Sequence, residues 1–221
     1  MTNPAEPHYV PALAFHGLTP FYDAVVGATT RERTFKRALI DQARIAPGHE
    51  VLDLASGTGT LAIWAQQHEP RATIMGIDGD PAILSIARRK AERAGVAIRF
   101  DQGLSYALPY DDARFDRVMS SLFFHHLDWP NKQRTARELL RVLKPGAELH
   151  VADWGAPGSG LMRGLFRVSI QVLDGYRNTQ DNVEGRLIEL FEGAGFVDVT
   201  QRDRFSTVFG TLALYSARKP A

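Results

Sequence analysis

The sequence predicts an α/β fold, a seven-stranded, mostly parallel sheet with helices on both faces and an antiparallel C-terminal strand. Three observations predict it. From residue 50 to 153, short apolar runs alternate with segments of helical period, at a spacing that crossover connections fill. Residues 51–62, VLDLASGTGTLA, read as a buried strand, a glycine turn and the first turn of a helix. The chain ends in two successive β-rich runs, 196–203 and 207–217, which form a hairpin at the sheet's edge.

Each element has a local cause. The arm at 1–18 carries Pro4, Pro7 and Pro11 between isolated aromatics and is irregular; a short helix follows at 20–27. A helix over 30–45 has Thr29-x-x-Glu32 as a capping box and Phe35, Leu39 and Ile45 as apolar positions; Pro47 and Gly48 then break the chain. After the strand at 50–54 come a helix at 59–68 and a strand at 72–78. Asp80 caps and Pro81 opens a helix at 81–94, which Gly95 stops. Strands follow at 96–101 and 115–121, then a helix at 131–143 ended by Lys144, Pro145 and Gly146, then a strand at 147–153. The apolar set Leu161, Met162, Leu165, Phe166, Val168, Ile170, Val172 and Leu173 forms an inserted helix over one end of the sheet. Asp181-x-x-Glu184 caps a helix running to Gly193. One domain results, 1–221: an N-terminal helical arm and lid (1–48), a core (49–153), a helical lid insertion (154–180) and a C-terminal helix with its hairpin (181–221).

Composition narrows the functional classes. With 26 Lys+Arg against 25 Asp+Glu, the net charge of +1 gives no basic field for nucleic acid. With 0 cysteines, disulfides, thiolate metal sites and cysteine nucleophiles are excluded, and no other metal-ligand set is expected. No apolar run is long enough to span a bilayer, and residues 1–11 lack the basic-then-apolar order of a signal peptide. The expected location is the cytoplasm.

In an open α/β sheet, ligands sit beyond the carboxyl ends of the strands, where strand order reverses. The turn at 53–59 is the candidate. Gly57 and Gly59 permit close backbone approach, and exposed N–H groups at the helix start favour an anionic group. Asp78 lies 21 positions after Gly57 and suits a ribose diol. Gly57, Gly59 and Ala62 satisfy the G-x-G-x-x-G/A dinucleotide pattern, so a nicotinamide dinucleotide is one candidate. Asp53, Leu54, Ala55 and Ser56 intervene before the first glycine, however, and that acidic loop suits a nucleoside carrying a cationic amino acid.

The chain resembles the class I S-adenosylmethionine-dependent methyltransferases, and within them the quinone-biosynthesis C-methyltransferases. The matching stretches are Tyr22-Asp23 with RTFKR at 33–37, the run at 51–62, GIDGDP at 76–81, and ALP at 107–109 with Phe115-Asp116. LFFHHL at 122–127, RELLRVLKPG at 137–146 and Gly195-Phe196 complete the ordered set. The resemblance implies a Rossmann-like sheet of order 3-2-1-4-5-7-6 and S-adenosyl-L-methionine as cofactor. By position, Asp53 with Ala55, Ser56 and Gly57 holds the methionine moiety, Asp78 the ribose hydroxyls, and Gly79 the adenine. Gly103 and Leu104 edge the adenine, Ser120 and Ser121 line the methyl-donor side, and Tyr22 closes over the cofactor. Ala55 stands where relatives most often have glycine, a mild change. Leu104 stands where many carry an acid for the adenine amino group, so that contact passes to Ser105, Asp101 or main-chain atoms.

A sulfonium methyl is already activated, so positioning and desolvation supply much of the acceleration, up to roughly 7–11 kcal/mol. A base is needed only where the acceptor's reacting atom carries a proton. His125 and His126 follow the fourth strand, where the acceptor approaches; they are either the base or an orienting pair, or a helix-start motif that packs and caps. His16, Tyr176 and Arg177 are weaker candidates on the lid elements. No Asn/Asp-Pro-Pro-aromatic motif follows Ser120, which disfavours methylation of base amino groups. The apolar lid set, with Phe15, Leu18 and Phe21, is consistent with a small apolar aromatic or quinone-like acceptor and peripheral membrane contact. Other readings are O- or N-methylation of a specialised metabolite or phospholipid headgroup, a non-catalytic cofactor-binding module, and an NAD-dependent oxidoreductase.

Overall fold

The computed structural model describes residues 31–156, 176–207 and 210–221. The expected helix at 20–27, Thr29, Tyr22, His16, Phe15, Leu18, Phe21 and the apolar set at 161–173 lie outside the described residues, as do the side chains of Tyr176 and Arg177.

Helix α1 (Glu32–Ala43) precedes β1 (Glu50–Leu54), α2 (Thr60–His68), β2 (Thr73–Asp78), α3 (Pro81–Arg93) and β3 (Arg99–Gln102). Then come β4 (Phe115–Ser121), a 3-10 turn at Phe124–His126, α4 (Trp129–Val142) and β5 (Leu143–Trp154). Helices α5 (Tyr176–Val183) and α6 (Leu187–Ala194) lead into β6 (Val197–Ser206) and β7 (Thr211–Arg218). The sheet has the expected order, β3-β2-β1-β4-β5-β7-β6. Strands β1 to β5 pair in parallel, while β7 runs antiparallel between β5 and β6.

Alternation along each buried strand builds two apolar clusters, one per face. Val51, Ile74, Ala152 and Trp154 pack with Phe35 and Leu39 of α1, Leu61 of α2 and Leu84 of α3. Leu52, Leu54, Met75 and Val151 pack on the other face with Leu139 of α4 and Phe191 of α6. Burying Phe35 or Leu39, each 0% exposed, contributes about 1.5–3 kcal/mol and holds α1 across the sheet.

The caps divide into those that form and those that do not. Asp80 caps α3 as expected, accepting from the N–H groups of Ala82 (2.8 Å) and Ile83 (3.4 Å). The Glu32 carboxylate of the expected capping box pairs forward along the helix, and Thr29 lies outside the described residues. Helix α1 starts from Arg31 in the left-handed region, without a side-chain cap, and the Glu32 carboxylate accepts from Lys36 Nζ at 2.6 Å one turn on. The Asp181 cap fails, because Gly185 (φ 75°) breaks the segment into two helices and leaves Asp181 inside α5. Its carboxylate instead takes Lys132 Nζ (3.3 Å) and Arg186 Nη1 (2.9 Å). Helix α4 begins two residues earlier than expected, since Asp128 accepts from the Asn131 N–H at 2.9 Å and Pro130 fits the first turn.

Ala55 adopts φ 53° and Leu122 φ 55°, both left-handed. Ala55 is therefore not the mild change expected, because a Cβ in that region costs about 1–2 kcal/mol. Glycine's added freedom when unfolded offsets about 0.4–1 kcal/mol of any relief. Ala55→Gly is expected to stabilise the chain by about 0.5–1 kcal/mol, raising Tm by about 1–4 °C in thermal melts; an unchanged or lower Tm would show the loop unstrained.

Candidate active site

The reversal of strand order falls between β1 and β4, where Leu54 pairs with Ser120. Asp53 alternates onto the same face as Val51, beneath α1 and α2, and is 1% exposed. Its Oδ2 accepts from the Ala62 N–H at 3.0 Å, in the first turn of α2, where a carboxylate meets the favourable end of the helix dipole. Burial nevertheless pushes the Asp53 carboxyl up to about 7, against the opposing Lys36 ammonium. Asp78 ends β2. Its Oδ2 accepts from the Gly57 N–H (2.9 Å) and its Oδ1 from the Asp80 N–H (3.0 Å), so one carboxylate ties the glycine turn to the start of α3. Burial raises this carboxyl too, against those N–H donors.

The turn is seated by what is missing at Gly76. Gly76 lies opposite Asp53 in the β1–β2 register, and a Cβ there would stand 2.5 Å from the Phe100 ring and 2.9 Å from Ser56 Oγ. The Ser56 N–H donates to the Ile77 carbonyl at 2.9 Å, while its Oγ is buried with no hydrogen-bond partner. A Cβ on Gly57 would meet nothing within 4 Å. An orphan hydroxyl and open space over the turn among the described residues, with one buried and one half-buried carboxylate, fit a ligand with its own hydroxyls and a cationic end.

The turn after β3 is joined to the same site, since the Gly103 N–H donates to the Asp78 carbonyl at 3.0 Å and Gln102 reaches the Gly79 carbonyl at 3.4 Å. The side chains expected to take over from Leu104 are already engaged. Asp101 accepts from Tyr110 Oη (3.1 Å) and Arg99 Nε (2.8 Å), and Ser105 Oγ bonds Thr135 Oγ1 (2.8 Å). Sequence reasoning missed what holds the following loop. Arg141 donates to the carbonyls of Tyr110 (2.7 Å) and Leu108 (3.0 Å), and Glu138 accepts from the Leu108 N–H (2.8 Å). Their signal was the RELLR run at 137–141, where both acid and base sit at helical spacing.

At the tip of β4, Ser120 Oγ donates to the Leu54 carbonyl at 3.1 Å and is 0% exposed, so it joins the two strand tips; Ser121 follows, half-buried. The chain then turns through Leu122, whose N–H donates to the Ala152 carbonyl at 2.8 Å, into the 3-10 turn carrying both histidines. Asp153, also missed, organises that turn. It is 0% exposed; its Oδ2 accepts from the N–H groups of Phe123 (3.1 Å) and Phe124 (2.7 Å), and its Oδ1 lies 2.7 Å from His125 Nδ1. The His126 ring lies 4.0 Å from that of His125. Burial, then the neighbouring His125, pushes His126 down to about 3, against the pull of Asp153. Among the described residues, no group of three or more His, Cys, Asp or Glu is placed to hold a metal ion.

A family model described as "Methyltransferase domain" matches residues 51–146, the segment that builds this edge. The chain is similar to the demethylmenaquinone methyltransferase of Thermus thermophilus, 35% identical over 71% of each chain. It is similar also to the ubiquinone/menaquinone biosynthesis C-methyltransferase UbiE of Ectopseudomonas mendocina, 28% identical over 95% of this chain and 88% of the relative. A SAM-dependent methyltransferase of Methanosarcina mazei shares the fold, with a TM-score of 0.67 at 20% identity over 82% of this chain and 97% of that one. The glycine turn with its two acids, in this strand order and beside these relatives, leads to one conclusion: the chain belongs to the class I S-adenosylmethionine-dependent methyltransferases.

Proposed function

We propose that this methyltransferase acts on a small, apolar aromatic acceptor of quinone type. One observation carries this reading: the sequence relatives, at 35% and 28% identity, are quinone-pathway methyltransferases by name. Aromatic side chains at the histidine turn are consistent with it: the half-buried Phe123 precedes the turn and Trp154 meets the His125 ring edge-on at 6.3 Å. Bound S-adenosylmethionine supplies an electrophilic methyl group on a sulfonium. Asp53 and the backbone of Ala55, Ser56 and Gly57 hold the methionine end; Asp78 takes the ribose hydroxyls and Gly79 the adenine. Gly103 and Leu104 border the adenine, Ser120 and Ser121 face the donor methyl, and Tyr22 closes the site. His125 and His126 form the acceptor side. The arm, core, lid and C-terminal unit act as one domain in the cytoplasm, and a lipid-like acceptor brings it to a membrane surface. No helix among the described residues is long and apolar enough to cross one.

Three experiments test this. Isotope-labelled methyl from the cofactor is expected on an unsubstituted ring carbon of a naphtho- or benzohydroquinone, read by mass spectrometry; a label found only on oxygen or nitrogen, or on no quinol, would overturn the acceptor class. Thermal shift is expected with S-adenosylmethionine and not with nicotinamide dinucleotides, and Asp78→Asn should remove most of it. The third experiment is a pH series. With its carboxyl raised from the ordinary 3.8 to about 7, Asp53 favours the fold most at low pH, and that stability is lost as pH rises from about 4 to about 7 and is level above that. Only the anion pairs with a cationic ligand, so cofactor affinity should rise with pH, approaching tenfold per unit below about 7 and levelling above it. Calorimetry checks this, and Asp53→Asn should flatten the dependence.

A further inference from the structure

We propose that Thr135, Glu138 and Arg141 are positioning residues of the cofactor site: from one stripe of α4 they hold in place the loop that borders the adenine. This rests on the reading above, in which Gly103 and Leu104 form that border, and it names what sets the border's position.

Residues three apart on a helix are neighbours on its surface. Thr135, Glu138 and Arg141 follow that spacing along α4, beside the buried Ala136, Leu139 and Val142. Each reaches a different part of one loop, residues 103–112. Thr135 Oγ1 and Ser105 Oγ lie 2.8 Å apart, both buried. Glu138 Oε2 accepts from the Leu108 N–H at 2.8 Å. The Arg141 guanidinium donates to the Leu108 carbonyl (3.0 Å), the Tyr110 carbonyl (2.7 Å) and Asp112 Oδ1 (2.8 Å). It also donates twice to Glu138, at 2.9 and 2.8 Å.

These contacts have a physical cause. Leu108 and Tyr110 turn into the core and pack in one cluster with Phe115 and Leu139. Burying those side chains draws their backbone groups from water, where an unpaired group is costly. A guanidinium has five N–H donors in a planar fork, and the contacts of Arg141 use all of them. A lysine has three donors and no fork, so it cannot make the same set. Arg141, with the Leu108 N–H, holds the Glu138 carboxyl below its ordinary value against burial, so the pair is ionised at neutral pH.

The held segment bears directly on the border. Pro109 lies between the two carbonyls that Arg141 takes. A Cβ placed on Gly103 would stand 3.3 Å from Pro109 Cδ and 2.8 Å from Ile77 Cδ1. Pro109 and β2 therefore fill the space that a side chain on Gly103 would need. The Gly103 N–H is tied to the Asp78 carbonyl at 3.0 Å, and the Ala107 N–H to the Leu104 carbonyl at 3.1 Å. Releasing Leu108 and Tyr110 frees Pro109, and with it the packing that fixes where Gly103 and Leu104 sit. Arg141 thus acts on the border through Pro109.

The test compares a ligand that carries the base with one that lacks it. Calorimetry measures S-adenosylhomocysteine, the demethylated cofactor. NMR titration measures S-ribosylhomocysteine, which keeps the ribose and the amino acid but has no adenine. Wild type should bind the first more tightly. Arg141→Met should weaken S-adenosylhomocysteine binding by about tenfold, the scale of one charged hydrogen bond, and leave S-ribosylhomocysteine within about twofold. Arg141→Lys should show the same selective loss. An equal loss for both ligands, no loss for either, or full rescue by lysine would overturn the assignment. Were wild type to bind the two ligands equally, the adenine reading itself would fail, and the proposal with it. Should Arg141→Met not fold, Glu138→Gln decides by the same split. It keeps an acceptor for Leu108 but loses the ion pair, and it should lower affinity for the base-bearing ligand alone.

Discussion

Two carboxylates, Asp53 buried and Asp78 half-buried, sit at neighbouring strand tips, and the local architecture follows from keeping them there. Removing an anion from water is costly unless donors or cations replace the lost hydration. Asp78 obtains N–H groups from Gly57 and Asp80, which fixes the glycine turn and the entry to α3. Asp53 obtains one from Ala62, at the start of α2. Those donors fall short of compensation, as the raised carboxyls record. A cation brought beside Asp53 would restore what burial removes. Lys36 does part of this from α1, held in place by Glu32.

The same edge carries its backbone strain at matching places. Ala55 after β1 and Leu122 after β4 are left-handed, on the two strands that flank the reversal of strand order. Each turns the chain sharply out of the sheet, one into the glycine turn and the other into the histidine turn. Neighbours hold both bends: the Ser56 N–H on Ile77 in the first, the Leu122 N–H on Ala152 in the second. Strain of this kind persists where the surroundings over-determine it, and it clusters at functional sites.

Much of this was legible in the sequence, and what was not has a common cause. The strands, the Asp80 cap and the placing of both acids follow from period and local chemistry, which act over a few residues. The failed cap at Asp181 is a local signal overridden by a longer-range partner: Asp181 lies inside its helix and meets Lys132, 49 residues away in sequence. The strain at Ala55 was hidden because residue type alone does not report φ. The contact of His125 with Asp153 was hidden because the two lie 28 residues apart in sequence, on different elements. The side chains expected to stand in for Leu104 were spoken for by Tyr110, Arg99 and Thr135, contacts that no spacing announces.

The two constellations divide the electrostatic work by sheet face. Alternation sends Asp53 beneath α1 and α2, and Asp153, one residue from Ala152 and Trp154 of that cluster, to the opposite face with Phe124 and α4. A methyl cation equivalent passing from a sulfonium to a protic acceptor displaces one unit of positive charge across this edge. On the departing side, Asp53 and Asp78 are poorly compensated anions, which favours holding a cation. On the other face, the Asp153 carboxylate accepts three backbone N–H groups and lies against His125 Nδ1. Opposite faces of one sheet keep the two apart while their strand tips remain bonded through Ser120 and Leu54.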